Sequence, residues 1–193
     1  QSMQNLPGVT VQDGKVQLQV QSSGPGILNI RIPWYSEKWE CVQNGISIKT
    51  QPDKGYQRLC ISPGDTRISI DFHVVPRWMG ANDQVRADAG KTALMKGPLV
   101  YCLEQADNGE ELHNLWLPKE SEFRVFEGKG LFSHKMLIQA EGVKQSAADA
   151  AQQSLWHYDV SPTSRQAHTL TFIPWFSWAN RGEGEMRIWI NEQ

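Results

Sequence analysis

No apolar run in this 193-residue sequence approaches the roughly 18 residues that a membrane-spanning helix needs. Neither sign of charge is in clear excess. The sequence has 19 Lys and Arg residues and 21 Asp and Glu residues, which gives a formal net charge of −2 at pH 7. A chain without a basic surface field is a poor match for polyanions. We therefore expect neither nucleic acid nor a membrane surface as a partner.

Paired cysteines are also absent. Cys41, Cys60 and Cys102 form no CxxC motif and have no histidine at metal-ligand spacing. Each lies in or beside an apolar strand pattern, so we expect buried free thiols. A disulfide between Cys41 and Cys60 stays open as an alternative, because their flanking strands could be neighbours.

The sequence has little that would carry catalysis. Its five histidines are scattered singly, and there is no HExxH, P-loop, GxGxxG or nucleophile-elbow motif. Glu183 and Glu185 are the closest carboxylate pair beside a glycine-rich turn, and we expect solvated turn residues there rather than a glycosidase pair. We assign no catalytic residue and no metal ligand to this chain.

What the sequence does have is a series of short strands. Apolar and polar residues alternate over 15–21 and 66–72, and Asn44-Gly45 predicts a hairpin between two extended runs. A short helix is predicted over 146–153, with Ser146 as its N-cap, followed by a strand over 155–160 and a final strand over 185–190. The even spacing of strands predicts an all-β fold of two antiparallel β-sandwich lobes with at most one or two short helices.

The run KGPLVYCLE at 96–104 organises this pattern. Its apolar residues follow one another without a polar break behind a Gly-Pro breaker, which predicts a strand buried on both faces. The polar segment 105–114 that follows is the predicted junction. It divides the chain into a first lobe over 1–108 and a second over 109–193, with a boundary uncertain by about 15 residues.

A binding face is the furthest functional inference that these residues allow. Trp175, Phe176 and Trp178 fall at the end of a predicted strand, with Phe176 and Trp178 on one face beside Asn180 and Arg181. Such a face could stack a sugar or dock against another domain, and docking is the favoured interpretation. Trp34 is a further candidate ring in the first lobe.

Six motifs in order resemble the C-terminal β-sandwich region of glycoside hydrolase family 127, the bacterial β-L-arabinofuranosidases that were formerly a domain of unknown function. They are Arg31-Ile32-Pro33-Trp34, Asn44-Gly45, Gly55-Tyr56, Gly64-Asp65, ALMKGPLVYCLE at 93–104 with Asp107-Asn108, and IPWFSWANRG at 173–182 with Gly184-Glu185-Met186. One departure is Ser62-Pro63, where the family usually has a tryptophan.

The resemblance implies that catalysis belongs to an (α/α)6 barrel that precedes the sandwiches, with a zinc-bound cysteine as nucleophile and a glutamate as acid/base. This chain has no counterpart of that ligand set, so we expect no cofactor in it and no activity from it alone. The expected partner is the barrel of the same polypeptide, with a homodimer contact as a further expectation and the bacterial cytoplasm as the favoured compartment. The alternative is a free-standing carbohydrate-binding module that uses Trp34, Trp175 or Trp178.

Overall fold

The computed structural model describes residues 9–12, 14–118, 121–147 and 163–193. The chain divides into two compact units, with the boundary between Val75 and Pro76. Both units are built from β-strands, as predicted. In the described residues, no helix combines the length and apolar character that a membrane span requires.

The first unit is a sandwich of two antiparallel sheets. One sheet has the order β1-β2-β7-β4-β5, and the other pairs β3 with β6. The strands are β1 (Val9–Gln12), β2 (Lys15–Ser22), β3 (Gly26–Arg31), β4 (Glu40–Gln43), β5 (Ile46–Ser47), β6 (Tyr56–Ile61) and β7 (Gly64–Asp71).

Alternation along the strands builds the core of this unit. Ile68 and Ile70 of β7 meet Leu59 and Ile61 of β6 across the sandwich, and Cys41 lies among them. The sequence pattern predicted this inward face, because side chains two residues apart share one side of a strand.

The cysteines of the first unit are not joined. Cys41 is buried and Cys60 is exposed, and both are free thiols. Cys60 therefore departs from the expected burial, because its side chain points away from the core between Leu59 and Ile61.

The second unit is one sheet of nine strands that closes on itself. Its strands are β8 (Pro76–Gly80), β9 (Lys91–Lys96), β10 (Leu99–Glu104), β11 (Leu115–Leu117), β12 (Phe123–Glu127), β13 (Met136–Ala147), β14 (Thr163–Pro174), β15 (Met186–Arg187) and β16 (Ile190–Glu192). The pairings run β10-β14-β13-β11-β16-β9 and return from β9 to β10, so six strands form a barrel-like ring. The β11–β16 pair is parallel, and the other pairs are antiparallel.

Strand β10 is buried on both faces from Tyr101 onward, as the KGPLVYCLE run predicted. Tyr101 and Leu103 belong to the large core cluster, whereas Cys102 faces a second cluster with Phe132 and Ile173. A strand with apolar side chains on both faces suits this position, because protein covers it on both sides.

The unit boundary differs from the expected one near residue 108. The polar segment 105–114 contains helix α1 (Gln105–Asn108) and a 3-10 turn (Leu112–Asn114), and both Asn108 and Leu112 are buried within the second unit. The amide of Asn108 bonds the backbone of Thr171 in β14, with its Oδ1 accepting from the Thr171 N–H at 2.8 Å and its Nδ2 donating to the Thr171 oxygen at 3.0 Å. Strong polarity here reflects a specific buried hydrogen-bond partner rather than a linker.

Two other predicted elements differ from the structure. Ser146 and Ala147 end strand β13 instead of starting a helix, and the rest of the predicted helix and the predicted strand 155–160 lie outside the described residues. The predicted final strand over 185–190 is divided into the short β15 and β16.

Candidate functional site

The candidate site is a loop that follows β14, which we call the aromatic loop (residues 175–178). Pro174 ends the strand, and Trp175–Ser177 forms a 3-10 turn, with the Trp178 N–H donating to the Trp175 oxygen at 3.0 Å. The prediction that Phe176 and Trp178 share one face of a strand is therefore wrong. In the turn, Trp175, Phe176 and Trp178 are 49%, 58% and 40% exposed, so all three rings reach the surface.

An ion-pair group built on the buried Glu104 holds the chain just beyond this loop, and we call it the carboxylate clamp (Glu104, Asp107 and Arg181). The Arg181 guanidinium donates from Nε to Glu104 Oε2 at 2.9 Å and from Nη1 to Asp107 Oδ1 at 2.7 Å, and its Nη2 bonds both carboxylates. The Glu104 side chain is only 4% exposed, against 24% for Arg181 and 21% for Asp107. A planar guanidinium with two carboxylates is the geometry in which arginine binds most firmly.

The clamp also fixes the backbone of the loop. The Ala179 N–H donates to Glu104 Oε1 at 3.1 Å, and Ala179 has a φ of +63°. A left-handed backbone at a residue other than glycine carries a conformational cost. The hydrogen bond to a buried carboxylate offsets that cost and sets the direction in which the aromatic loop leaves the sheet.

The charge on Arg181 is secured by its partners. Hydrogen bonds to Asp107 and then Glu104 raise the pKa of Arg181 above its usual range, although burial acts in the opposite direction. The guanidinium is thus the fixed cation of the clamp. Because its donors are occupied by carboxylates, Arg181 positions the loop rather than offering donors to a ligand.

Aromatic contacts extend the clamp to the turn that contains residues 130–135. The Arg181 guanidinium carbon lies 4.8 Å from the centre of the Phe132 ring, which is buried. Lys135 Nζ lies 5.7 Å from the Phe132 ring and 5.8 Å from the Phe176 ring. Cations over ring faces stabilise such contacts by roughly 0.5–1 kcal/mol each at exposed positions.

Asn180 and the glutamate pair also have local structural roles. Asn180 Nδ2 donates to the Ser177 oxygen at 2.9 Å, which closes the turn. Glu185 Oε2 accepts from the Leu112 N–H at 2.8 Å, and its own N–H donates to Gln105 Oε1 at 2.9 Å. Glu185 is therefore a structural acceptor, and no hydrogen bond or ion pair joins it to Glu183 among the described contacts.

Trp34 belongs to the first unit. Its ring is 66% exposed and contacts Tyr35 edge to face at 5.8 Å. The other four predicted site residues, Phe176, Trp178, Asn180 and Arg181, lie in the second unit, and all four have exposed surface. Asn180 and Arg181 already hydrogen-bond within the chain, whereas the two rings do not.

The described residues do not fit a zinc–thiolate centre. In the parts of the chain that the structure describes, no three His, Cys, Asp or Glu side chains gather as a metal site. Cys102 has no exposed surface, and burial, reinforced by Glu104 and Asp107, raises the pKa of its thiol to about 12. A thiol in that environment stays protonated at neutral pH and is a poor nucleophile or metal ligand.

Sequence reasoning missed the partners of Arg181. Glu104 and Asp107 stand 77 and 74 residues away, so no local spacing connects them with it. The sequence held one signal. The acidic Glu104 and Asp107 stand in one motif of the family resemblance, and the basic Arg181 stands in another. Phe132 and Lys135 carried no signal of this kind.

Comparisons with known proteins agree with this architecture. Residues 76–191 match the model of the glycoside hydrolase family 127 C-terminal domain, which starts where the second unit starts. The non-reducing end β-L-arabinofuranosidase of Bifidobacterium longum subsp. longum is 32% identical over 171 residues, which is 82% of this chain and 25% of that protein.

Solved structures show the same fold over both units. The family 127 β-L-arabinofuranosidase Ara127N of Geobacillus stearothermophilus T6 is 34% identical with a TM-score of 0.77, over 94% of this chain and 29% of that one. The family 127 β-arabinofuranosidase BT3674 is 24% identical with a TM-score of 0.81, over 93% and 30%, and supports the fold alone. This chain spans less than a third of the length of each of these relatives. On the match to its C-terminal domain and the identity to its characterised members, this chain belongs to glycoside hydrolase family 127.

Proposed function

We propose that this chain is the non-catalytic C-terminal β portion of a glycoside hydrolase that acts on β-L-arabinofuranosides. Its role is to brace the catalytic part of the same polypeptide, an (α/α)6 barrel that holds the zinc, and the aromatic loop is the surface that docks there. A homodimer contact is a further part of this proposal. The names of the relatives support the substrate class, and the shares of their length support a larger polypeptide.

The aromatic loop carries the proposal. Three large rings within four residues are about half exposed, and the buried carboxylate clamp holds the adjoining chain in one conformation. Exposed apolar surface of this kind marks interaction sites, and a rigid loop loses little conformational entropy when a partner binds. Taking roughly 100 Å² of exposed area for each ring, burial of all three would contribute at most about 7 kcal/mol.

The first test separates the two parts of the enzyme. We expect the 193-residue chain to show no hydrolysis of an aryl β-L-arabinofuranoside and the longer polypeptide that contains it to hydrolyse it. Turnover by the chain alone would overturn the proposal.

The second test addresses the docking surface. Trp178→Ala in the longer polypeptide is expected to lower its stability by about 2 kcal/mol, because a docked ring loses its burial. The same substitution in this chain alone is expected to cost less, since the ring is already 40% exposed there. Leu131→Ala, which removes an exposed apolar side chain outside the loop, is the matched control. Equal effects of Trp178→Ala in both proteins would refute docking at this loop.

A carbohydrate-binding module is the second candidate, since the same three exposed rings could stack a sugar. Titration of this chain with arabinose and with arabinan oligosaccharides distinguishes the two functions through tryptophan fluorescence. Saturable quenching that Trp178→Ala removes would favour the module, whereas unchanged fluorescence is expected for a docking surface.

A further inference from the structure

In the first unit, the outer edge of β3 has no partner strand among the described residues. We propose that a β-strand from the rest of the longer polypeptide pairs with this edge and completes the sandwich. The inference rests on the proposed function, since it takes the partner to be the same polypeptide.

The register shows which backbone groups point outward. The Ile32 N–H donates to the Gly55 oxygen at 2.9 Å, and β3 pairs antiparallel with β6 in the same register. Hydrogen-bonded and non-hydrogen-bonded pairs alternate in such a ladder. Ile27, Asn29 and Arg31 therefore direct their N–H and C=O groups away from β6, and no described residue hydrogen-bonds them.

The opposite edge of this two-stranded sheet is partly satisfied by a turn and by side chains. Tyr56 exchanges two backbone hydrogen bonds with Asp53, both at 2.9 Å. Farther along β6, the Cys60 oxygen accepts from Gln43 Nε2 at 2.7 Å, and the Arg58 oxygen accepts from a glutamine amide at 3.1 Å. A turn and side chains thus satisfy part of the outer edge of β6, whereas no described residue hydrogen-bonds the outward groups of β3.

The core beneath the open edge is incompletely covered. Ile68 and Ile70 of β7 are buried, whereas the inward-facing Val16, Leu18 and Val20 of β2 are only half-buried. Gln43 of β4 reaches the outer edge of β6, which places β6 toward β4 and β3 toward β2. A strand added beside β3 would cover the half-buried side chains of β2 and balance a five-stranded sheet that now faces two strands.

The chemistry of the edge specifies the occupant. The three outward pairs of N–H and C=O groups can hydrogen-bond the extended backbone of another strand. Apolar side chains at every second position of that strand would cover the apolar core below. β3 reads GILNIR, without the proline or lysine that blunts natural edge strands. The characterised relatives have at least three times the length that this chain spans, so their polypeptides contain ample further sequence to supply a strand.

Amide hydrogen exchange tests the proposal. In the longer polypeptide we expect the amides of Ile27, Asn29 and Arg31 to exchange at least about 100-fold more slowly than in this chain alone. Unchanged exchange at these amides, with slower exchange in the aromatic loop, would overturn this inference and leave the proposed function standing. Unchanged exchange at both places would overturn both.

A proline substitution gives an independent readout. Asn29→Pro removes an outward N–H and Asn29→Ala retains it, so we expect the two variants to be equally stable in this chain alone. In the longer polypeptide, we expect the proline variant to unfold at lower temperature than the alanine variant. Equal melting temperatures there, or unfolding of the isolated proline variant, would overturn the proposal. A dimer of the isolated chain in sedimentation that Asn29→Pro abolishes would assign the edge to a second copy and also overturn it.

Discussion

Arg181→Ala is the substitution that tests the carboxylate clamp most directly. It removes the cation that binds Glu104 and Asp107 and leaves the Glu104 carboxylate, whose side chain is 4% exposed, in the interior. Glu104 Oε1 keeps its hydrogen bond from Ala179, whereas Oε2 loses its arginine donors.

The expected cost follows from that burial. Removal of one member of a buried ion pair destabilises a protein by about 3–5 kcal/mol, and the partial exposure of Arg181 places the expected cost at the lower end of this range. The lost contact between Arg181 and Phe132 adds roughly 0.5–1 kcal/mol. We therefore expect Arg181→Ala to cost at least about 3 kcal/mol of the unfolding free energy of the second unit.

Urea unfolding followed by tryptophan fluorescence measures this cost, since six of the eight tryptophans lie beyond Val75. The informative control is Glu104→Gln combined with Arg181→Ala, which removes the charge as well as its partner. We expect the double variant to be more stable than Arg181→Ala alone, because a neutral amide is cheaper to bury. A loss below about 1 kcal/mol for Arg181→Ala, or a double variant that is no better, would refute the reasoning.

Three further predictions concern the thiols and the packing. In the native chain a thiol reagent is expected to modify Cys60 at once and Cys102 only after unfolding, and equal rates would contradict their exposures. The pKa of Cys102, raised by burial to about 12, is expected to make the stability of the second unit fall between pH 9 and pH 12 by up to about 1.4 kcal/mol per pH unit, because only the unfolded thiol ionises there. In urea titrations, Cys102→Ala should remove this contribution and leave the smaller one from Cys41, whose pKa is also raised by burial. Gly142→Ala is expected to lower the unfolding free energy by about 1–3 kcal/mol in the same assay, because the added Cβ would lie 2.7 Å from the Trp116 oxygen. Gly80→Ala is the control and should cost about 1 kcal/mol or less, because the space around Gly80 is open. Equal losses of stability in the two variants would contradict the close packing at Gly142.

Most of the strands could be predicted because their signals are local. Alternation identified the strands that became β2 and β7, and Asn44-Gly45 identified the hairpin, with φ values of +49° and +81° at its two residues. The unbroken run around Tyr101 identified the doubly covered β10. In each of these cases the side-chain period or a turn residue carries the information within a few positions.

The unit boundary and the aromatic loop could not be predicted in the same way. Asn108 is polar, yet its partner is the Thr171 backbone 63 residues away, so composition suggested a linker where the structure has a buried hydrogen-bond site. Trp175 and Phe176 continue the extended pattern of β14, and the turn that ends it at Pro174 is stabilised by contacts beyond the strand.

The sequence alone determined the class of fold, the face of each regular strand and the family, since periodicity, turn residues and ordered motifs are properties of the chain itself. Tertiary structure alone decided that Arg181 pairs with Glu104 and Asp107, and that the neighbouring rings stay exposed. The physical reason is that burial and charge pairing depend on which distant strands meet. Glu104 and Arg181 become partners only when the ring of strands in the second unit closes.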